Sequence, residues 1–171
     1  NLITTQFQSG ETTDLGDLES PPPYQPYVPP TLEQRISQSF EVEGTPLERH
    51  AKALELVGLL KQHLLIVFGT PEDSRVHRLM QIRFEDPDYR PVSDEYRLMA
   101  ISTDKINRGA AAELASLLEE SIEGKRGEFL LVLLDHAGQK VATADDRDLA
   151  VDSALSKDRL LEWLRSHMPE P

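Results

Sequence analysis

The sequence predicts an α/β domain: a central mixed sheet whose parallel strands come first and whose antiparallel hairpin comes last, with helices on both faces. Three stretches carry that prediction. Leu64-Leu65-Ile66-Val67-Phe68 is apolar at every position, then turns through Gly69 into an amphipathic segment reaching Met80. A strand apolar on both faces belongs at the centre of a sheet that is covered on both sides. Tyr96 to Ser102 is a second strand, separated from the first by a helix-period segment. Phe129 to Leu134 is a third. It turns through Asp135-His136-Ala137-Gly138-Gln139, of hairpin length with glycine in position, into a fourth strand at Lys140 to Thr143.

Taken in order, residues 1 to about 31 read as an extended tail. Six of the twelve prolines fall between Pro21 and Pro30, and Glu11, Asp14, Asp17 and Glu19 meet no basic residue before Arg35. Such a segment buries too little apolar surface to offset its ordering entropy. Its Pro22–Pro30 stretch favours polyproline II, as a spacer or as a ligand for an aromatic groove through Tyr24 and Tyr27. Residues 32–44, with Ile36, Phe40 and Val42, are compatible with a short helix or an added edge strand. The boundary is placed after residue 44, giving an acidic, proline-rich tail or linker over 1–44 and a folded domain over 45–171.

The domain opens with Thr45-Pro46-Leu47-Glu48, a capping box with proline at the first helical position, and a helix to about Lys61. Thr70-Pro71 is expected to start the next helix by the same pattern, with Glu72 and Asp73 favourably placed on the helix dipole. Pro87 and Pro91 bracket a loop. Asp104 or Asn107 opens a third helix, using Ala111, Leu114, Leu117, Leu118 and Ile122 and ending at Gly124. Residues 144–155 are acidic and irregular, with a short edge strand at Ala150-Val151. Ser156 caps a last helix that Pro169 stops, and Trp163 among its leucines reads as core.

Composition narrows the function. A formal net charge of −12 argues against nucleic acid and against anionic membrane surfaces, because phosphate binding needs clustered Lys and Arg. No apolar run approaches the roughly 18–20 residues of a membrane span. The absence of cysteine removes disulfides, thiolate nucleophiles, Cys-ligated zinc and iron–sulfur clusters together. The five histidines, His50, His63, His77, His136 and His167, show no i,i+4 pair that would mark a zinc site. No Gly-x-Ser-x-Gly elbow or glycine-rich phosphate loop is present, and Asp145-Asp146-Arg147-Asp148 is too short for an EF-hand loop. No metal and no cofactor are expected.

The element order helix–strand–helix–strand–helix–strand–strand–helix resembles the thioredoxin superfamily over residues 46–168. Two local patterns carry the resemblance. Leu65-Ile66-Val67-Phe68-Gly69, a polar turn and then His77-Arg78-Leu79 is similar to the strand, Trp-Cys-x-x-Cys turn and helix of catalytic relatives. Phe129 to Val141 looks like the family's terminal hairpin, in which a strand ends in Asp and turns through Gly. The resemblance implies a thioredoxin-like three-layer sandwich.

It also shows where the chemistry departs. On the family pattern Glu72 falls at the tryptophan, Asp73 at the attacking cysteine and Val76 at the resolving one. The family's cis-proline has no counterpart in Lys125-Arg126-Gly127-Glu128-Phe129. Asp and Val cannot cycle between thiol and disulfide, since that exchange needs a thiolate. The chain is also similar to cysteine-less thioredoxin-like domains of exported bacterial and extracellular-matrix proteins.

The expected function is a non-catalytic binding or scaffolding module that takes a protein partner or self-associates, with no nucleic acid and no direct membrane insertion. The expected surface is the vestigial active-site turn: Thr70, Glu72, Asp73, Ser74, Arg75 and Val76, facing Gly127, Glu128 and Phe129. A non-redox enzyme pairing Asp73 with His77 one helical turn on is the rival, and a purely structural domain of a larger exported protein is another. The Asn at position 1, the tail and the family likeness together lead to an expected extracytoplasmic location, periplasmic or secreted.

Overall fold

The computed structural model describes residues 27–122 and 129–168. The polyproline stretch up to Gln25-Pro26, the expected helix end at Gly124 and the stop at Pro169 lie outside the described residues.

The sheet runs β2-β1-β3-β4, from Tyr96–Ser102 (β2) through His63–Gly69 (β1) and Leu130–Leu134 (β3) to Lys140–Asp145 (β4). β1 and β2 are parallel, while β3 runs antiparallel to both β1 and β4. β1 and β3, the two inner strands, are buried at every residue. This is the mixed sheet with a terminal hairpin expected for a thioredoxin-like fold. The hairpin turn is held by the Asp135 carboxylate, which accepts from the Ala137 and Gln139 N–H groups at 2.9 and 2.8 Å. Gly138 supplies the positive φ of +82° that the turn requires.

Strand alternation divides the interior into two cores. On one face Leu65, Val67, Ala100, Leu131 and Leu133 pack under Leu32–Phe40 (α1), Ser74–Glu85 (α3), Arg90–Ser93 (α4) and Lys157–Ser166 (α7). On the other, Leu64, Ile66, Phe68, Met99, Ile101 and Val132 pack under Pro46–Leu60 (α2) and Arg108–Leu117 (α5). The helices therefore cover both faces, as a three-layer sandwich requires.

Several elements differ from expectation. Residues 32–40 form a helix capped by a Thr31–Gln34 box, with Ile36 and Phe40 in the core. Packing thus brings α1 into the core that it shares with α3. The expected helix start at Thr70-Pro71 moves to Ser74. Asp73 is the N-cap, its side chain accepting from the Arg75 N–H, and a carboxylate two residues before a free N–H outcompetes the upstream proline. The Pro87–Pro91 loop is a 3₁₀ turn, Pro87–Tyr89, running into α4. α5 stops at Leu117, and Glu119 takes the left-handed conformation with φ 58°. Leu118 and Ile122 are nonetheless buried beyond the helix end.

The irregular acidic stretch folds into Asp146–Leu149 (α6) and a hairpin of Ala150–Val151 (β5) and Ala154–Leu155 (β6). Asp152 and Ser153 both adopt positive φ at its tip. The expected edge strand at Ala150-Val151 thus pairs in its own two-stranded sheet. Trp163 is half-buried and packs against the core from its rim.

Candidate functional site

Register assembles the site. Phe68 at the end of β1 pairs with Leu130 at the start of β3, and Leu130 pairs with Asp145 at the end of β4. The turn Thr70–Asp73, the β3 entry at Phe129 and the start of α6 therefore meet at one end of the sheet.

Arg75 lies at the centre of that meeting. Its Nε and Nη2 donate to Asp73 Oδ1 and Oδ2 at 2.9 and 2.5 Å, a two-pronged guanidinium–carboxylate pair. Its Nη1 donates to Asp146 Oδ2 at 2.6 Å, across to α6. The guanidinium also lies 5.6 Å from the centre of the Phe129 ring, which is fully buried. Both Asp73 and Arg75 are well shielded, with side chains 10% and 18% exposed.

The electrostatics follow from that geometry. Burial pushes the Asp73 carboxyl up, but the Arg75 hydrogen bonds and charge outweigh it and hold the group below its ordinary value. Hydrogen bonding to Asp73, with the Asp146 charge behind it, holds the Arg75 guanidinium fully protonated against desolvation. The site is an interlocked network of one guanidinium and two carboxylates.

The expected binding residues divide accordingly. Glu72 and Ser74 are exposed at the mouth, Thr70 is partly exposed, and Val76 is buried in the core beneath. Thr70 is tied into the turn by its carbonyl, which accepts from the Asp73 N–H at 3.1 Å. Phe129 forms the floor under Arg75; Gly127 and Glu128 lie outside the described residues. Asp73 and His77 sit on the expected helix, but both Asp73 carboxylate oxygens are taken by Arg75, and His77 reaches Asp73 only through its backbone N–H to the Asp73 carbonyl. The acid–base pair expected of a non-redox enzyme is not formed.

Sequence reasoning missed Asp146. It stood within the acidic run Asp145–Asp148, and no local signal marks it as the partner of a residue in the β1–α3 turn. A shallow groove of about 500 Å³ opens between Ser74, Arg75, Asp146, Ala150 and Ser153 beside the network. Chemically the arrangement offers shielded carboxylates, one guanidinium and exposed hydroxyl and carboxylate groups at its rim. It contains no sulfur, since the whole chain lacks cysteine. Among the described residues no cluster of three or more His, Asp or Glu side chains could hold a metal ion.

No protein-family model matches the chain, and no curated protein matches it. Among solved structures it is similar to one titled the crystal structure of disulphide isomerase from Xylella fastidiosa Temecula1. That match has a TM-score of 0.55 at 13% sequence identity and covers 74% of this chain and 95% of the other. At that identity the likeness is one of fold, and it supports a thioredoxin-like architecture here. No helix among the described residues is long and apolar enough to cross a membrane.

Proposed function

We propose that this chain is a non-catalytic thioredoxin-like module that binds a protein partner, or a second copy of itself, at the turn between β1 and α3. The observation that supports it is the Asp73–Arg75–Asp146 network. At the turn that the family resemblance sets against the dithiol, one guanidinium and two carboxylates form an interlocked network of net charge −1 over a buried aromatic ring. A network with fixed charge and few free rotamers suits recognition, because little conformational entropy is lost on binding. It does not suit proton transfer, which needs a group poised near neutral pH. The exposed Glu72 and Ser74 beside it supply the reading groups. Neither nucleic acid nor direct membrane insertion fits the acidic surface, and an extracytoplasmic setting is part of this reading.

The test uses the full chain and a variant, E72K/S74R, that reverses charge at the mouth without touching the network. Both are immobilised and exposed to extract from the source cells, and captured proteins are identified by mass spectrometry. A protein held by the parent chain and lost with the variant supports binding at the turn. Equal capture by both, or none by either, sinks that site. Sedimentation of the two chains decides the self-association form in the same way. In an insulin-reduction assay the expected rate is that of buffer alone.

A further inference from the structure

A second feature lies at the opposite side of the sheet, independent of the turn. α1 packs on one face and α2 on the other, so residues 41–45 cross from face to face past β2, the outermost strand. Beneath the crossing is a groove of about 480 Å³, bordered by the α1 end, α2, the end of α3 and the β2 edge. Four bases line it, Arg49, Lys52, Arg83 and Arg97, against the single acid Glu43. In a chain with twelve more acids than bases, that local sign reversal is unusual.

One of these bases, Arg49, has hydrogen-bond partners that explain it, and the other three have none among the described residues. Arg49 Nη2 donates to the Ala100 carbonyl at 2.7 Å and to the Ser39 carbonyl at 3.5 Å, stitching α1 to the strand. Lys52 stands near Glu48 on its own helix, where hydrogen bonds from Thr45 do most to hold that carboxyl down and the Lys52 charge adds to them. Arg83 and Arg97 make no hydrogen bond or ion pair with any described residue. Arg83 is partly buried and its guanidinium lies 5.3 Å from the Phe84 ring centre. Burial disfavours its protonated form most, Tyr89 opposes that effect, and the Arg97 charge adds to it. A desolvated guanidinium with a like charge beside it and no acceptor is a costly arrangement, and an added anion would relieve it.

The edge supplies the second half. Ala100 turns its carbonyl away from β1 to meet Arg49, and the two-residue alternation of a strand turns the Leu98 N–H and C=O the same way. No strand lies beyond β2 among the described residues. Alternation also sends the Arg97 side chain to the α2 face with Met99, while Arg83 approaches from the α3 face. A strand laid along this edge would send neighbouring side chains to those two faces in turn.

We propose that this groove docks an extended acidic segment of a partner protein, which pairs its backbone with Leu98 on the β2 edge and places adjacent carboxylates against Arg97 and Arg83. Backbone pairing at a free edge supplies affinity, and the guanidiniums select carboxylate side chains. The overall negative charge does not forbid it, because at physiological salt the field beyond about 8 Å is screened and the groove's own bases dominate.

The probe is the peptide acetyl-Ala-Val-Glu-Asp-Glu-Val-Ala-amide, with a control in which Gln-Asn-Gln replaces the three acids. Titration of the full chain by calorimetry is expected to give a Kd on the order of 10–100 µM for the acidic peptide and about tenfold weaker binding for the control. R97Q, at an exposed position, is expected to weaken binding about fivefold, while R165Q on α7 leaves it unchanged. Amide exchange at Leu98 is expected to slow in the complex. Equal affinity for both peptides, an R97Q chain that binds as the parent does, unchanged Leu98 exchange, or no binding would each overturn the proposal. So would full displacement by inorganic phosphate at equal concentration, which would mark a simple anion site. Binding seen only after removal of residues 1–26 would overturn it too, by identifying the chain's own acidic segment as the occupant.

Discussion

Arg75 and Asp146 are 71 residues apart in the chain, yet Arg75 Nη1 and Asp146 Oδ2 are 2.6 Å apart in the fold. That bond joins the first turn of α3 to the first turn of α6, and so closes that end of the sheet. The Asp73–Arg75 pair within the α3 turn is the better shielded half of the network, and Asp146 the more exposed.

The two halves should therefore differ in energy. Asp73→Asn keeps an acceptor for the Arg75 N–H but removes the charge, and is expected to destabilise by about 1–3 kcal/mol. Asp146→Asn, at a side chain 38% exposed, is expected to cost about 0.5–1 kcal/mol because solvent screens the pair. Urea unfolding of both single variants, and of each with Arg75→Gln, measures the couplings. The Asp73 carboxyl is held below its ordinary 3.8, so its contribution is present above that pH and is lost as pH falls through the lowered native value. Asp73→Asn should remove that part of the acid dependence.

Two buried histidines act in a higher pH window. Desolvation lowers both His50 and His63 below their ordinary 6.5, with the His167 carbonyl opposing the shift at His63. The unfolded chain then binds more protons than the native one just below pH 6.5, so stability falls as pH drops from about 6.5 toward the lowered native values. His50 Nε2 is buried with no hydrogen-bond partner among the described residues. His50→Leu is expected to be neutral or stabilising by up to about 1 kcal/mol at pH 7, and to reduce the midpoint shift between pH 7 and pH 5.5. A variant with the parent's full pH slope would refute the assignment.

Tyr96 is nearly fully buried, and its hydroxyl donates to the Leu164 carbonyl at 2.5 Å, tying β2 to α7. Tyr96→Phe leaves that carbonyl without its donor and is expected to cost about 1–2 kcal/mol in thermal or urea unfolding. No measurable loss would mean that the carbonyl finds another donor.

Helix α1 is part of the folded unit by the same logic. Ile36 and Phe40 are 2% and 9% exposed within the core shared with α3. Phe40→Ala is expected to destabilise by about 3–4 kcal/mol and Ile36→Ala by about 2–4 kcal/mol. A chain beginning at residue 45 should unfold at lower urea with a broader transition. Parent-like unfolding of that shortened chain would support a folded domain that begins at residue 45.

Much of the fold was legible in local pattern. Leu64–Phe68 and Leu130–Leu134 are apolar runs of strand length, Tyr96–Ser102 is a mostly apolar one broken by Arg97, and the Thr45–Glu48 box and Ser156 mark helix starts that the structure retains. Such signals depend on neighbours a few residues apart, so sequence order alone displays them. Where local signals compete, order alone misled. Thr70-Pro71 and Asp73 both offer a helix start, and only the geometry of the turn selects Asp73. At the candidate site, the turn was legible because strand, cap and amphipathic helix follow one another directly.

The sequence by itself determined the α/β class, the mixed sheet with its terminal hairpin, and the lack of any thiol. The tertiary structure brought Asp146 and Phe129 to Arg75 through the register of β1, β3 and β4. It also decided that α1 belongs to the core and that Arg83 and Arg97 share one groove at the β2 edge. The physical reason is common to all three. Helix and strand formation are governed by contacts between near neighbours in the chain, whereas ion pairing and burial are governed by distance in space. Only the register of the sheet and the packing of helices on it convert one into the other.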